Sequence, residues 1–125
     1  MATNKEIVQR VNDGFATGDV ELVMSHIADD VRWDVVGIST AIGQEAFRKE
    51  VKNENFEGIP KITIHNAIEE GDRVAVEVEV TTRFKGGAVV ELFFHNAYRL
   101  EGGKVKELRS YLVFKGDVDR AALAS

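Results

Sequence analysis

The sequence lacks cysteine altogether and contains only one proline and one tryptophan. Without cysteine there can be no disulfide, no thiolate metal site and no cysteine nucleophile, and this composition fits a reducing compartment. No apolar run approaches the ~18 residues that a membrane span needs. The N-terminal stretch MATNKEIVQR also has no apolar signal core. These absences predict a cytoplasmic protein.

An excess of positive charge is also missing. The chain has 16 Lys and Arg against 21 Asp and Glu, a net charge of -5, and the charges are evenly spread. This provides neither a basic stripe for nucleic acid nor a polybasic anchor for a membrane surface. The three histidines lie on different predicted elements without metal-ligand spacing, and no glycine-rich run precedes a helix to hold phosphate. We therefore expect no nucleic acid, membrane, metal or cofactor.

The longest regular pattern runs over residues 89–114, VVELFFHNAYRLEGGKVKELRSYLVF. Two apolar-rich runs around a Gly102-Gly103 turn predict an antiparallel hairpin. Strand side chains alternate between two faces. On the second strand Val105 is out of phase with the other apolar residues, which predicts a bulge near Lys106. One face of the hairpin then carries Leu92, Phe94, Asn96, Tyr98 and Leu100 from the first strand and Leu108, Ser110 and Leu112 from the second.

This face is mostly apolar but includes an amide, a phenol and a hydroxyl. Such a mixture is typical of the wall of a small-molecule pocket. It is equally typical of a core face whose polar groups are satisfied internally. Alternation alone does not decide between these two interpretations.

Upstream of the hairpin, helical and extended patterns are segregated. Thr3 and Glu6 form a capping box for a helix over residues 4–16, and Asp19 caps a second helix over residues 20–27. A short strand is expected over residues 31–36 and a third helix from Gly43. Strands follow from Pro60 and over residues 74–81. With 125 residues, of which 44% are hydrophobic, this order predicts one α+β domain over residues 1–125.

Four landmarks carry a resemblance to a known family. They are FATGDVELVMSHIADDVRW, the helix entry GQEAF at Gly43, the turn EGDRV at Glu70 and the ending GGKVKELRSYL. In this order they resemble the SnoaL-like polyketide cyclases, ketosteroid isomerase, limonene epoxide hydrolase and nuclear transport factor two. The resemblance implies a cone-shaped fold, in which three N-terminal helices pack on a strongly curved, mixed and mainly antiparallel sheet, with a pocket between helices and sheet.

The resemblance also assigns roles to single residues. Asp34 matches the carboxylate base of the isomerases and Asn96 matches an oxyanion donor, whereas Val11 stands where those enzymes have a tyrosine. The water-activating residues of the epoxide hydrolases correspond to Val78, Val80 and Ser110, so that activity is not expected. The ligand implied is a small apolar organic molecule, bound by Trp33, Phe47, Phe94, Tyr98, Leu108, Ser110 and Leu112.

Two functions follow from these assignments. The first is a cofactor-free isomerase or cyclase that removes a proton next to a carbonyl, with Asp34 as base and Asn96 as donor. The alternative is a ligand-binding or dimerisation module without catalysis. Trp33 and Asp34 are adjacent on one strand, so only one of them faces the pocket, and the sequence leaves open which one.

The opposite face of the sheet is expected to carry aromatic and charged side chains, which predicts a homodimer through that face. A rival interpretation makes Glu77, Glu79 and His95 an acid/base cluster, which would require the sheet to be flipped. The residues expected on the dimer face are Thr63, His65, Glu77, Glu79, Phe93, His95, Arg99, Arg109 and Tyr111.

Overall fold

The computed structural model describes residues 2–52 and 56–115. These residues form three helices and a six-stranded sheet with the order β2-β1-β6-β5-β4-β3. Strands β1 and β6 are parallel and every other neighbouring pair is antiparallel. This α+β arrangement is consistent with the expected cone-shaped fold. The elements are α1 Asn4–Thr17, α2 Val20–Met24, β1 Ile27–Val35, β2 Ser39–Ile42, α3 Gln44–Val51, β3 Phe56–Glu70, β4 Arg73–Phe84, β5 Val89–Glu101 and β6 Lys104–Phe114.

The capping box predicted for α1 is confirmed. The Thr3 hydroxyl accepts a hydrogen bond from the Glu6 backbone at 3.1 Å, and the Glu6 carboxylate accepts one from the Thr3 backbone at 3.2 Å. Gly18 ends the helix with a φ of 70°, a conformation that glycine adopts without steric cost. The helix ends at Thr17, one residue beyond the predicted end.

The predicted second helix is too long. It was expected to reach Ile27, but α2 ends at Met24 and Ile27 begins β1. The helix ends early because of a tertiary contact, in which Ile27 pairs with Val105 of β6 in the parallel part of the sheet. Strand β1 therefore starts four residues before the predicted Val31. Helical spacing of apolar residues did not reveal this pairing.

Strand β2 was not predicted. Its four residues follow a tight turn, closed by a 2.9 Å hydrogen bond from the Ile38 backbone N–H to the Val35 carbonyl. Gly37 has a φ of 81° in this turn. Strand β3 also begins earlier than predicted, at Phe56 rather than at Pro60. Pro60 lies where the β3–β4 register shifts, on an edge strand, which is a position that tolerates a missing N–H donor.

The hairpin and its bulge are confirmed. Strands β5 and β6 meet at Gly102 and Gly103, both with positive φ, as a two-residue hairpin turn requires. Arg99 pairs with Glu107 and Leu100 with Val105, so Lys106 is the extra residue of the bulge. The bulge returns Val105 to the same face as Leu108.

One face of the sheet, called here the inner face, is covered by helices. The core includes Val8 and Val11 of α1, Phe47 of α3 and three valines of β4, Val74, Val76 and Val78. The opposite side is called the outer face. Among the described residues no helix is long and apolar enough to cross a membrane.

Candidate functional site

Most of the predicted pocket residues share one wall on the inner face. Across β5 and β6 the register pairs Phe94 with Leu112, Asn96 with Ser110 and Tyr98 with Leu108. Burial on this wall is complete at Tyr98, Leu108 and Ser110 and partial at Phe94, Asn96 and Leu112.

Trp33 lies on the same face as this wall. It pairs with Leu108 across the parallel β1–β6 ladder, and its indole Nε1 donates a 2.9 Å hydrogen bond to the Ser110 hydroxyl. The indole ring stacks at a tilt on Phe47, with ring centroids 4.8 Å apart, and meets Phe15 edge-on at 6.1 Å. Three aromatic rings from α1, β1 and α3 thus meet beside the polar part of the wall. The strand register settles the open question, with Trp33 facing inward.

Asp34 projects from the outer face. Its neighbours in the sheet are Thr40 and Arg109. The carboxylate accepts hydrogen bonds from Arg32 Nε at 3.0 Å and from the Thr40 hydroxyl at 2.7 Å. These bonds, with that from Arg32 the stronger influence, hold the pKa of Asp34 below its ordinary value. The structure therefore does not bring Asp34 and Asn96 together, since the two side chains lie on opposite faces of the sheet.

Asn96 carries the polar group on the inner wall that lacks a partner. Its Oδ1 is buried and accepts no hydrogen bond from the residues described. Leaving such an acceptor unpaired costs about 1–3 kcal/mol relative to water. Ser110 beside it is only 1% exposed and uses its oxygen to accept from Trp33. A buried acceptor of this kind favours a ligand that carries a donor.

Deeper in the core, Tyr98 and Asn12 form a polar pair that the sequence reasoning missed in part. Burial raises the pKa of the Tyr98 phenol, and a side-chain hydrogen bond with Asn12 acts in the opposite direction. Asn12 is itself buried and donates from Nδ2 to the Val8 carbonyl at 2.9 Å. Its position four residues after Val8, on the apolar side of α1, is the signal that could have identified it.

Comparison with known proteins identifies the family. A family model described as the SnoaL-like domain matches residues 8–108 of the chain. The chain belongs to the SnoaL-like domain family. No curated protein matches its sequence significantly.

Solved structures resemble this SnoaL-like domain over most of its length. An LEH-like epoxide hydrolase from M. tuberculosis has a TM-score of 0.79 at 17% identity, covering 88% of this chain and 82% of that one. An NTF2-like protein of unknown function from Burkholderia pseudomallei has 0.78 at 20%, covering 98% and 95%. A hypothetical protein with a ketosteroid isomerase-like fold from Catenulispora acidiphila, in complex with trimethylamine, has a TM-score of 0.72 at 21% identity, covering 87% of this chain and 86% of that one. At these identities the likeness shows the fold and no activity.

Two surface cavities occur, and Asn96 lines neither of them. The first, called here the hairpin hollow, has a volume of about 430 Å³ and is lined by Arg32, residues 34–40 and Arg109. The second has about 750 Å³ and lies beside the Gly102 turn. In the second cavity Lys106 is paired with Asp30 at 2.6 Å, and Gln44 donates to the Ile27 carbonyl. No group of metal-binding side chains occurs among the described residues.

Proposed function

We propose that this SnoaL-like protein binds a small, largely apolar organic molecule at the half-buried end of the inner wall, with the polar end of the ligand at Asn96. The observation that carries the proposal is the buried Asn96 Oδ1 without a hydrogen-bond partner. A ligand hydroxyl or amine that donates to this oxygen would recover the desolvation cost of the amide. Half-buried Phe94 and Leu112 provide apolar surface around it.

Catalysis by proton abstraction has less support than binding. An isomerase or cyclase of the expected type needs a base within reach of the substrate on the inner face. Strands β4, β5 and β6, which surround Asn96, present apolar, amide, hydroxyl and phenol groups on that face and no carboxylate or imidazole. The inner-face carboxylate of Glu69 lies on the edge strand β3 beside Val74 and accepts a 2.8 Å hydrogen bond from the Lys5 backbone N–H. Asp34 lies on the other side of the sheet with its carboxylate already bonded to Arg32 and Thr40. Ligand binding without proton transfer is therefore the function proposed.

The tryptophan provides the test, because Trp33 is the only one in the chain and borders the proposed site. Cyclohexanol and methylcyclohexane are similar in size and transparent at the wavelengths used for tryptophan, and only the alcohol can donate a hydrogen bond. Each compound is titrated into the wild-type protein, and its concentration is expressed as a fraction of its water solubility. On this scale cyclohexanol should change Trp33 emission at a value at least fivefold lower than methylcyclohexane.

The matched variants are Asn96→Leu at the site and Asn66→Leu at an exposed position of β3. Asn96→Leu should abolish the preference for the alcohol and leave the hydrocarbon bound, while Asn66→Leu should behave as wild type. The proposal would be contradicted if neither probe changed Trp33 emission, or if Asn96→Leu still preferred cyclohexanol to methylcyclohexane.

We also propose that the protein is a homodimer through the outer face. Phe93 pairs with Val113 across the β5–β6 ladder. Tyr111 is two residues before Val113 on β6 and therefore lies on the same face. All three are exposed, by 39%, 63% and 45% respectively. Together they form an apolar patch, beside which Lys115 lies over the Phe93 ring at 5.4 Å. Contiguous exposed apolar groups of this kind favour association.

Light scattering tests the dimer. The wild type should show twice the monomer mass, and Val113→Lys should show the monomer mass, because a buried unpaired ammonium is costly. Ile59→Lys is the matched control, since Ile59 is also exposed, by 63%, but lies on the edge strand β3 beside Gly18 at the end of α1, away from the outer face. A monomeric wild type would rule out the dimer, as would a Val113→Lys protein that remains dimeric.

A further inference from the structure

The hairpin hollow lies where the outer face meets the turn between β1 and β2. Its volume of about 430 Å³ falls within the ~300–1,000 Å³ typical of small-ligand sites. Val35 contributes one inner-face residue to its lining, but the charged side chains of the hollow leave the sheet on the outer face, opposite Asn96. The binding proposed at Asn96 does not use it, and Phe93, Tyr111 and Val113, which form the patch proposed for the dimer, do not line it.

The charges in the hollow do not balance. Two arginines, Arg32 and Arg109, face one carboxylate, Asp34. Asp34 is bonded through one oxygen to Arg32 Nε and through the other to Thr40. Arg109 makes no hydrogen bond or ion pair with the described residues, and its charge acts from a longer distance on Asp34 and on Glu107. Glu107 lies beside Arg32 in the β1–β6 ladder but does not line the hollow, and its carboxylate is paired with Arg99 Nε at 3.2 Å. One guanidinium is therefore left with its donors unused in the hollow.

The hydrogen bond to Asp34 also orients the other arginine, Arg32. The bond from Nε to Asp34 fixes the Arg32 guanidinium at the edge of the hollow, and its side chain remains 55% exposed. A guanidinium presents paired N–H groups that match the oxygens of a carboxylate or a phosphate. The Ser39 side chain adds a hydroxyl to the lining, and Val36 and Ile38, exposed by 45% and 66%, give the rim an apolar part.

We propose that the hairpin hollow binds a small organic anion, a carboxylate or a phosphate ester, whose charged end lies between Arg32 and Arg109 and whose apolar end contacts Val36 and Ile38. Arg109 supplies the free positive charge. Asp34 holds Arg32 in place and at the same time limits affinity, because it is a negative charge beside the bound anion. This proposal assigns Asp34 a positioning role that is separate from any reaction on the inner face.

The test uses NMR titration of the full chain with benzoate, inorganic phosphate and the neutral benzyl alcohol. Benzoate or phosphate should shift the backbone amides of residues 34–40 in a saturable way, and benzyl alcohol should not. Raising the salt concentration should weaken the binding, since exposed charges are screened. Stronger binding of benzoate would assign a carboxylate ligand, and stronger binding of phosphate would assign a phosphate ester.

Three variants separate a specific site from general attraction. Arg109→Gln should weaken anion binding at least tenfold, whereas Arg83→Gln, which removes the same charge from an exposed position at the other end of the sheet, should leave it unchanged. Asp34→Asn should tighten binding severalfold. Equal losses in the two arginine variants, or benzyl alcohol binding as well as benzoate, would overturn the proposal. Neither result would bear on the cyclohexanol test of the inner wall.

Discussion

The hydrogen bond between Trp33 and Ser110 links the aromatic cluster to the polar part of the inner wall, and its loss has a predictable cost. In Ser110→Ala the indole Nε1 loses its acceptor 2.9 Å away. A typical intramolecular hydrogen bond contributes ~1 kcal/mol net, and an unpaired buried donor costs ~1–3 kcal/mol. Ser110 is buried but Trp33 is half-buried, so water can reach the indole in part. We expect the variant to lose about 1–2 kcal/mol of unfolding free energy.

A double-mutant cycle isolates this interaction from other effects of each substitution. Trp33→Phe removes the donor, and urea unfolding of the single and double variants is followed by circular dichroism because the fluorescent group is absent from two of them. The coupling energy should be about 1 kcal/mol. Ser39→Ala, at an exposed serine of β2, is the control and should change stability by no more than ~0.5 kcal/mol. Additive effects of Ser110→Ala and Trp33→Phe would refute the assignment of this bond.

Two further substitutions test the packing and the electrostatics. In Gly14→Ala, helix propensity alone predicts a gain of ~1 kcal/mol, but the new Cβ would lie 2.6 Å from Val23 Cγ2 and 3.1 Å from the Asp19 carbonyl. We expect a net loss of about 1 kcal/mol or more from overpacking, and a raised Tm would contradict this. Asp34 has a folded-state pKa below its ordinary value of 3.8, so its ionised form stabilises the fold above that pH and the contribution is lost as the pH falls through the folded pKa. The stability difference between wild type and Asp34→Asn should therefore be constant from about pH 5 to 7 and shrink below about pH 4; a difference that disappears already near neutral pH would indicate a raised pKa.

The parts of the fold that local chemistry determines could be predicted from the sequence. The Thr3–Glu6 box specifies its own hydrogen bonds, and Gly102-Gly103 permits the positive φ values of the hairpin turn. The phase change at Val105 was enough to place the bulge at Lys106, because a two-residue alternation cannot otherwise keep Leu108 on the core face. In each case the signal and its consequence lie within a few residues.

The parts that were wrong depend on distant partners. Ile27 fits the apolar stripe of α2, yet it leaves the helix because β6 offers it a parallel pairing with Val105. Strand β2 has four residues, too few for alternation to identify, and forms because it pairs with residues 32–35 of β1. The short match between Asp34 and the isomerase base could not settle which way that side chain points. A shift of one residue reverses the face of every side chain in a strand.

The register of β1 also explains why the inner wall has an unpaired amide at Asn96 without a carboxylate beside it. Val35, not Asp34, lies beside Ser110, and Ser110 lies beside Asn96. A carboxylate at position 35 would therefore stand in the same row of the sheet as the unpaired amide. Asp34 is one position away, on the face where Arg32 and Thr40 lower its pKa. The same carboxylate that the family resemblance assigns to catalysis is thus bonded to Arg32 and Thr40 on the outer face, away from Asn96.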